Sequence, residues 1–508
     1  MTEFIHNRIT SEDPHPQLNW QEWIIEADIL SIQAEMTRGV LTAVQLVTLY
    51  LERINKYDTV INSVLELNPD ALDIAAALDQ ERLSSGARSS LHGIPLLVKD
   101  NIDTADKLHT SAGSVALADS FASRDAELIR HLRDAGAIVL GKANMTEWAN
   151  FMAPGMWAGY SSRGGLVLNP YGPGELFVGG SSSGSAASVA ANLAAAAIGT
   201  ETSGSIIGPA SQNSVVGIKP TVGLVSMAGI IPGIGTQDTA GPLARTVTDA
   251  AILLGAMTGA HDPGQPEQEA SGSSAVADYT VFLEVNGLHG KRIGIPRRVY
   301  QELDKDVLAL MEEAIRLLAD NGAVIVDSVE LPCMEADWSP VMLQYEFKRG
   351  INQYLGRVAE SIPVHNLREL IAYNAEHSSI ALKYGQGTLE WLESSGDGIP
   401  EEEYLTALHI SRQLARNQGI DFALREHCLD ALMFPGFHGA DLAARAGYPL
   451  ITVPAGYAAD GMITPGGYTT KGPHGVTFSG TAYSEPALLM IAYGFEQAAR
   501  RRTPPCLS

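Results

Sequence analysis

The most informative stretch of the sequence begins with Gly179-Gly180-Ser181-Ser182-Ser183-Gly184-Ser185 and ends, after an alanine-rich run, with Thr200-Glu201-Thr202-Ser203-Gly204-Ser205. Glycine and serine bury little apolar surface, and glycine costs backbone entropy to order, so neither loop is packing material. Glycine also lets a backbone approach a ligand and turn its N–H groups toward one point, as an oxyanion hole or a phosphate nest requires. The pattern predicts two ligand-facing loops joined by a short apolar helix, with serines as candidate nucleophiles.

Short β-type runs alternate with helical segments on both sides of these loops. The residues of 94–98 and 137–140 form apolar runs of strand length, and a helical segment over 126–133 lies between them. Further strand-like runs occur at 215–218, 292–295, 324–326, 431–434 and 450–453. This alternation is typical of an α/β fold with buried strands.

Length and composition favour one large domain. The chain has 508 residues, of which 45% are hydrophobic and 18% charged, a profile typical of a well-buried globular protein. The pattern divides it into an N-terminal helical layer (1–85), a core (86–260), a mostly helical, variable insertion (261–430) and a return to the core sheet (431–508). A capping box at Thr42-Ala43-Val44-Gln45 supports the helical reading of the first part. The most linker-like stretch is 261–278.

Charge and cysteine content exclude several classes of protein. A formal net charge of -24 repels phosphate backbones, so we expect no nucleic-acid partner. Cys333, Cys428 and Cys506 are too far apart for a zinc site or a disulfide framework. The apolar run 186–199 is shorter than the ~20 residues that a membrane helix needs. Residues 1–8 lack a basic-then-apolar secretion signal, which predicts a cytoplasmic protein.

Lys99 is the first candidate for acid–base chemistry. It follows the apolar residues of 94–98, so a strand here would place its amine at the strand end between buried neighbours. Burial without a partner charge lowers the pKa of a lysine, and a neutral amine is a base. The alternative is an ordinary surface ion pair with Asp100 or Asp103.

Other catalytic patterns receive less support. Gly180-Ser181-Ser182-Ser183-Gly184 fits the nucleophile elbow Gly-x-Ser-x-Gly with Ser182 as nucleophile, but the turn-like residues 170–174 precede it instead of a strong strand. The Ser-x-x-Lys, His-Glu-x-x-His and Gly-Lys-Ser/Thr patterns do not occur. Metal and nucleotide chemistry therefore lose support, and we expect no metal and no cofactor.

An ordered set of motifs resembles the amidase signature family. The motifs lie in the two loops above and at Gly93-Ile94-Pro95, Lys99-Asp100-Asn101, Pro209-Ala210, Val216-Gly217-Ile218-Lys219-Pro220-Thr221, Asp238-Thr239-Ala240-Gly241-Pro242, Gly447-Tyr448-Pro449, Val453-Pro454-Ala455-Gly456 and Phe495-Glu496-Gln497-Ala498. The resemblance runs from about residue 29 to 504, and the residues of these motifs are most similar to those of the bacterial peptide amidases. It implies an α/β fold with a large mixed, twisted β-sheet sandwiched by helices.

The resemblance also implies the catalytic residues. Ser205 is similar to the family's nucleophile, Ser181 to a relay serine that follows a cis peptide bond, and Lys99 to the terminal base. The backbone N–H groups of Thr202, Ser203, Gly204 and Ser205 resemble the oxyanion hole. This machinery needs no cofactor.

The same comparison of motifs reveals departures. Ser203 replaces a glycine of the family's common loop, and the peptide amidases generally have Asp there. Ile207 replaces an arginine, and Ser183 stands where many members have glycine. The stretch from Tyr468 to Thr477 is less apolar than the corresponding stretch of the family. These changes leave the triad intact and concern the choice of substrate.

Met156, Gly180, Gln237 and Asp238 are candidate substrate contacts. Asp238 and Gln237 resemble residues next to the family's site, although they could equally hold a turn before Gly241-Pro242. Lys219 precedes Pro220 and is interpreted as structural.

The sequence therefore predicts an amidohydrolase that cleaves linear carboxamides through an acyl-serine intermediate, with peptide C-terminal amides as candidate substrates. The alternatives are an aryl or alkyl amide, carbamate or ester hydrolase of the same family, the glutamine-amidase subunit of an amidotransferase, and a non-catalytic binding protein. We expect a small-molecule or peptide amide as the partner, no nucleic acid, no membrane, and a monomer or homodimer. Because the base must be neutral, activity should rise through neutral pH.

Overall fold

A single large sheet organises the molecule. The computed structural model describes residues 19–258, 276–461 and 470–507. The strands are β1 (Val64–Leu67), β2 (Pro95–Lys99), β3 (Ile138–Ala143), β4 (Tyr160–Ser161), β5 (Gly165–Leu166), β6 (Ala196–Glu201), β7 (Val216–Lys219), β8 (Thr239–Ala244), β9 (Arg292–Gly294), β10 (Val324–Val326), β11 (Ala431–Pro435), β12 (Leu450–Ala458) and β13 (Gly472–Ser479). In the described residues, 11 strands form a mixed sheet in the order β1-β3-β2-β6-β8-β7-β12-β13-β11-β9-β10, and β4 pairs with β5.

Helices cover the sheet. They are α1 (Trp20–Trp23), α2 (Ile29–Thr37), α3 (Ala43–Ile61), α4 (Ala71–Ser85), α5 (Glu127–Asp134), α6 (Ser183–Ala190), α7 (Ile207–Gln212), α8 (Val247–Met257), α9 (Lys305–Asp320), α10 (Val341–Leu355), α11 (Leu367–Glu376), α12 (Ser378–Ala381), α13 (Gly387–Ser395), α14 (Glu401–Asn417), α15 (Ile420–Glu426), α16 (Ala440–Ala446) and α17 (Glu485–Ala499). Short 3-10 helices lie at Val115–Leu117, Glu147–Asn150, Tyr279–Phe282, Arg297–Tyr300 and Pro332–Glu335. The predicted α/β class, with a large mixed sheet between helices, is confirmed.

The N-terminal layer differs in one respect from the prediction. The capping box at Thr42 and Gln45 is present and starts α3. However, β1 interrupts the helices of 1–85 and pairs antiparallel with β3 as an edge of the sheet. A run as short as Val64–Leu67 carries no helical or strand period of its own, so its partner strand decides its conformation. Residues 1–8 and most of 261–278 lie outside the described residues.

The alanine-rich run between the two loops was predicted as one helix, and that is wrong. It folds as α6, a short turn and the strand β6, all of it buried. β6 pairs in parallel with β2, whereas it pairs antiparallel with β8. Because the carboxyl ends of parallel neighbours meet at one edge of a sheet, Lys99 at the end of β2 and the loop after β6 are brought together.

Two glycines allow neighbouring parts of the backbone to approach closely at this place. Gly199 in β6 lies opposite Gly241 in β8. A Cβ built on Gly199 would lie 2.7 Å from the Ser182 hydroxyl oxygen, and one built on Gly241 would lie 1.9 Å from the carbonyl oxygen of Ile218. The latter atom is sheet backbone and cannot move away without breaking strand pairing.

We therefore expect Gly241→Ala to lower stability by roughly 3 kcal/mol through overpacking. The thermal unfolding midpoint, followed by circular dichroism, measures this. Gly398→Ala is the matched control because Gly398 is exposed and a Cβ there would meet nothing within 4 Å. Equal midpoints for the two variants would contradict the close approach.

Candidate active site

Lys99 ends β2 with its amine completely buried. Its Nζ lies within hydrogen-bond distance of three oxygens: Ser181 Oγ at 2.7 Å, Thr200 Oγ1 at 2.8 Å and the Thr200 carbonyl oxygen at 3.1 Å. Asn101 Nδ2 donates to the same Thr200 hydroxyl at 3.0 Å. In the described parts of the chain no carboxylate lies within ion-pair distance of Nζ, so the alternative of a surface ion pair with Asp100 or Asp103 is wrong.

This environment favours the neutral amine. Burial lowers the pKa of Lys99 from 10.5 to about 7, and the charges of Glu201 and Asp238 oppose the shift without cancelling it. Near neutral pH the group therefore exchanges protons readily.

Ser181 is held rigidly in front of Lys99. The Gly180–Ser181 peptide bond is cis, as the resemblance implied. The Ser181 carbonyl oxygen accepts a hydrogen bond from the Thr146 backbone N–H at 3.0 Å. A Cβ on Gly180 would lie 2.4 Å from Thr146 Oγ1, so only glycine fits at this position.

The other serines of the first loop bond to backbone. Ser182 Oγ donates to the Thr200 carbonyl oxygen at 3.1 Å and accepts from the Thr200 N–H at 3.2 Å. Ser183 Oγ donates to the Gly179 carbonyl oxygen at 2.7 Å, and Ser185 Oγ to that of Ile198 at 3.1 Å. With its proton committed and its side chain fully buried, Ser182 is unsuited to the nucleophile elbow that the sequence allowed.

Ser205 lies in the turn that follows β6. It is 7% exposed, and its carbonyl oxygen accepts the Ser182 N–H at 3.1 Å, which joins the two loops. Gly204 has a φ of +81°, a left-handed conformation that favours glycine. Across 19–258, 276–461 and 470–507, the N–H groups of residues 202–205 find no hydrogen-bond acceptor. They are free to bind a ligand oxygen.

Carboxylates fix both ends of this turn. Glu201 Oε2 accepts the N–H groups of Ile206 at 2.6 Å and Ile207 at 2.9 Å. At the other side, Asp238 Oδ1 accepts the Thr202 hydroxyl at 2.5 Å, while Oδ2 accepts the Gly233 N–H at 2.7 Å. Burial raises the pKa of Asp238 to about 6. The carboxylates thus hold the turn in place from both sides.

A cavity of about 1030 Å³ has Asp238 in its wall. The helical insertion supplies one wall, including Glu346 and Tyr354 of α10. Glu346 accepts the Thr236 N–H at 2.8 Å and its hydroxyl at 2.7 Å, and the Tyr354 hydroxyl donates to Asp103 at 2.6 Å. The insertion is therefore bonded to the loops beside the site.

The remaining sequence candidates take different places. Met156 packs in an apolar cluster with Trp148 and Phe347, and Gln237 is buried, with its N–H bonded to the Ile234 carbonyl oxygen. Lys219 donates hydrogen bonds to the carbonyl oxygens of Pro220 and Tyr448, which fits the structural role that its place before Pro220 indicated. Of the stretch from Tyr468 to Thr477, residues 468–469 lie outside the described residues. The part from Gly472 onward belongs to β13.

Sequence reasoning missed Thr200, Thr146 and Glu346. Thr200 begins the second Gly/Ser loop of the sequence. Its hydroxyl next to Glu201 was the signal that could have marked it as a site residue. Thr146 and Glu346 are distant in sequence from the loops that they hold, so no local pattern marks them.

Comparison with known proteins agrees with the fold. The family model named Amidase matches residues 45–489. A probable amidase of Arabidopsis thaliana is 41% identical over 492 residues, which cover 95% of this chain and 92% of the relative. The native peptide amidase from Stenotrophomonas maltophilia superposes with a TM-score of 0.85 at 45% identity, covering 95% of this chain and 99% of that one.

A third relative represents another activity. It is a glutamyl-tRNA(Gln) amidotransferase subunit of Thermosynechococcus vestitus, 32% identical over 499 residues, which cover 92% of this chain and 97% of the relative.

The chain belongs to the amidase family. It is a hydrolase that acts on the C–N bonds of amides. In the described segments, no helix has the length and apolarity to cross a bilayer.

The buried amine makes stability depend on pH. The unfolded chain binds the Lys99 proton up to pH 10.5, whereas the folded chain releases it near pH 7, so stability rises with pH between these values. Lys99→Met removes this penalty. We expect the variant's gain in thermal midpoint over the wild type to be largest at pH 7 or below and to shrink toward pH 10.

Lys305→Met is the control, because Lys305 is exposed at the start of α9. A gain for Lys99→Met that is constant from pH 7 to pH 10 would show that Lys99 keeps its proton when buried.

Proposed function

We propose that this chain is an amidohydrolase with a Ser205-Ser181-Lys99 triad, and that C-terminal amides of peptides are its substrates. The observation that carries the proposal is the 2.7 Å contact between Lys99 Nζ and Ser181 Oγ in a fully buried place. A neutral amine at that distance is able to take the serine proton. The hydrogen bond from the Ser182 N–H to the Ser205 carbonyl oxygen joins the two loops, which supports Ser205 as the second serine of the triad.

The proposed reaction starts with attack of Ser205 Oγ on the amide carbonyl carbon. Ser181 accepts the proton of Ser205 and passes its own proton to Lys99. The carbonyl oxygen becomes an oxyanion, which the free N–H groups of residues 202–205 stabilise. Loss of one such donor raises the barrier by on the order of 3 kcal/mol.

The tetrahedral intermediate collapses with cleavage of the C–N bond. The proton on Lys99 returns through Ser181 to the leaving nitrogen, which departs as ammonia or an amine and leaves an acyl-serine. Water then attacks the acyl carbon, its proton travels along the same route, and the carboxylic acid leaves with Ser205 restored. Atoms and charge balance without a metal or a cofactor.

The size of the cavity supports a substrate larger than a simple amide. Its volume of about 1030 Å³ is at the upper limit for ligand sites, and Asp238 connects its wall to the turn at Thr202. The similarity to the Stenotrophomonas peptide amidase favours a peptide as the occupant.

A fluorophosphonate probe tests the triad. We expect it to label Ser205, and the labelling rate of the wild type to rise through about pH 7 as Lys99 loses its proton. Ser205→Ala should abolish labelling, which intact-mass spectrometry detects. Ser183→Ala serves as the control from the first loop because its hydroxyl bonds to Gly179 backbone. Labelling that persists in Ser205→Ala would overturn the assignment of the nucleophile.

A hydrolysis panel tests the substrate. Peptide C-terminal amides, anilides, aliphatic amides, carbamates, esters and free glutamine are compared by kcat/KM, with Ser205→Ala as the blank. We expect peptide amides to be preferred by at least about tenfold, because a peptide chain can contact more of the cavity wall than the smaller substrates can. Preference for anilides, carbamates or esters would assign the same triad to another leaving group.

Free glutamine as the best substrate would favour the glutamine-amidase role, which the similarity to the Thermosynechococcus amidotransferase protein keeps as the second candidate.

A further inference from the structure

Ser203 occupies an unusual place in the turn after β6. Its neighbours Thr202, Gly204 and Ser205 are buried, whereas Ser203 is exposed. Its hydroxyl donates a hydrogen bond of 3.0 Å to Asp441 Oδ1 in the first turn of α16. The two residues come from parts of the chain that are distant in sequence, so the fold alone brings this carboxylate to the turn.

Helix α16 lies close enough for the contact to be fixed. A Cβ built on Gly204 would lie 3.6 Å from the Cβ of Ala440, the buried residue next to Asp441. This is ordinary van der Waals contact, which places the start of α16 directly beside the turn.

An arginine stands behind the carboxylate. Arg445 Nε lies 3.3 Å from Asp441 Oδ2, and the Arg445 guanidinium lies 4.6 Å from the ring centroid of Trp338. The two oxygens of Asp441 therefore have separate partners: Oδ1 bonds to the turn and Oδ2 to Arg445. The pair presents its negative end to Ser203, while the ring holds the positive end.

Arg445 is the single cationic partner that the described residues offer to the Asp441 carboxylate. The Asp441 side chain is 63% exposed, and in the described parts of the chain Arg445 is the only cationic side chain within ion-pair distance of it. The turn at Ser203 therefore carries a carboxylate that only one cation offsets.

We infer that Ser203 and Asp441 form a charge filter at the rim of the oxyanion turn, which disfavours amides with an anionic group beside the scissile bond. The inference rests on the proposed function of that turn. Asp441 determines specificity through its charge, and the Ser203 hydroxyl positions it. Neutral amide-terminated chains pass this filter, whereas carboxylate-bearing chains are repelled.

Two matched series of substrates test the filter, one for each side of the scissile bond. The first consists of acyl anilides with a para carboxylate, carboxamide or aminomethyl group. The second consists of N-acetyl dipeptide amides that end in Glu, Gln or Lys. In each series, the ratio of kcat/KM for the anionic and the neutral member is compared among variants, so that uniform losses cancel.

Asp441→Asn removes the charge and keeps the shape. We expect it to raise the anionic-to-neutral ratio by roughly three- to tenfold in at least one series, the range for one charge in a partly solvated place. Asp441→Glu should retain the wild-type preference. Arg445→Gln should shift the ratio in the opposite direction, because it leaves the carboxylate uncompensated.

A salt titration of the wild type needs no substitution. Raising the ionic strength to about 0.5 M should bring its ratio toward that of Asp441→Asn, since salt screens exposed charges. Ratios that stay unchanged in both series, for Asp441→Asn and for Arg445→Gln and with salt, would overturn the filter. Failure of the proposed function is separate: it appears as full activity in Ser205→Ala, whatever the charge of the substrate.

Discussion

A lysine amine buried without an ionic partner is the constraint on which the site depends. Removing Nζ of Lys99 from water costs free energy unless the group is neutral and hydrogen-bonded, and the structure provides oxygen partners from Ser181 and Thr200. These partners must therefore be placed accurately. The parallel pairing of β2 with β6, the fully buried helix α6 and the glycine pair between β6 and β8 are the features that place them.

The sequence predicts the chemistry of this site better than its packing. Lys99, the two serine loops and the α/β class follow from local motifs, because loop geometry and strand ends depend on adjacent residues. The strand β1, the division of the alanine run into α6 and β6, and the strand β13 do not follow, because their partners lie far away in the chain. The same holds for Thr146, Glu346 and Asp441, whose side chains matter only through long-range contacts.

The helical insertion is more than a cover for the sheet. Glu346 holds the backbone and hydroxyl of Thr236, two residues before Asp238, and Asp238 holds Thr202 at the start of the turn. These two contacts, joined through the short segment from Thr236 to Asp238, thus connect α10 to the loop that carries Ser205. Since these carboxylates are largely buried, their contacts depend on fixed geometry. A shift of the insertion would therefore displace the turn.

This arrangement separates what must be constant from what can vary. The amine of Lys99, the Ser181 hydroxyl and the buried turn are enclosed by the sheet and α6, where a change in volume is costly. The cavity wall and the Asp441 contact come instead from the insertion and from α16, which meet the turn from outside. Substitutions there alter what approaches the turn without altering the buried hydrogen bonds of the amine. A family that keeps one reaction on one fold can in this way change substrates through its outer contacts.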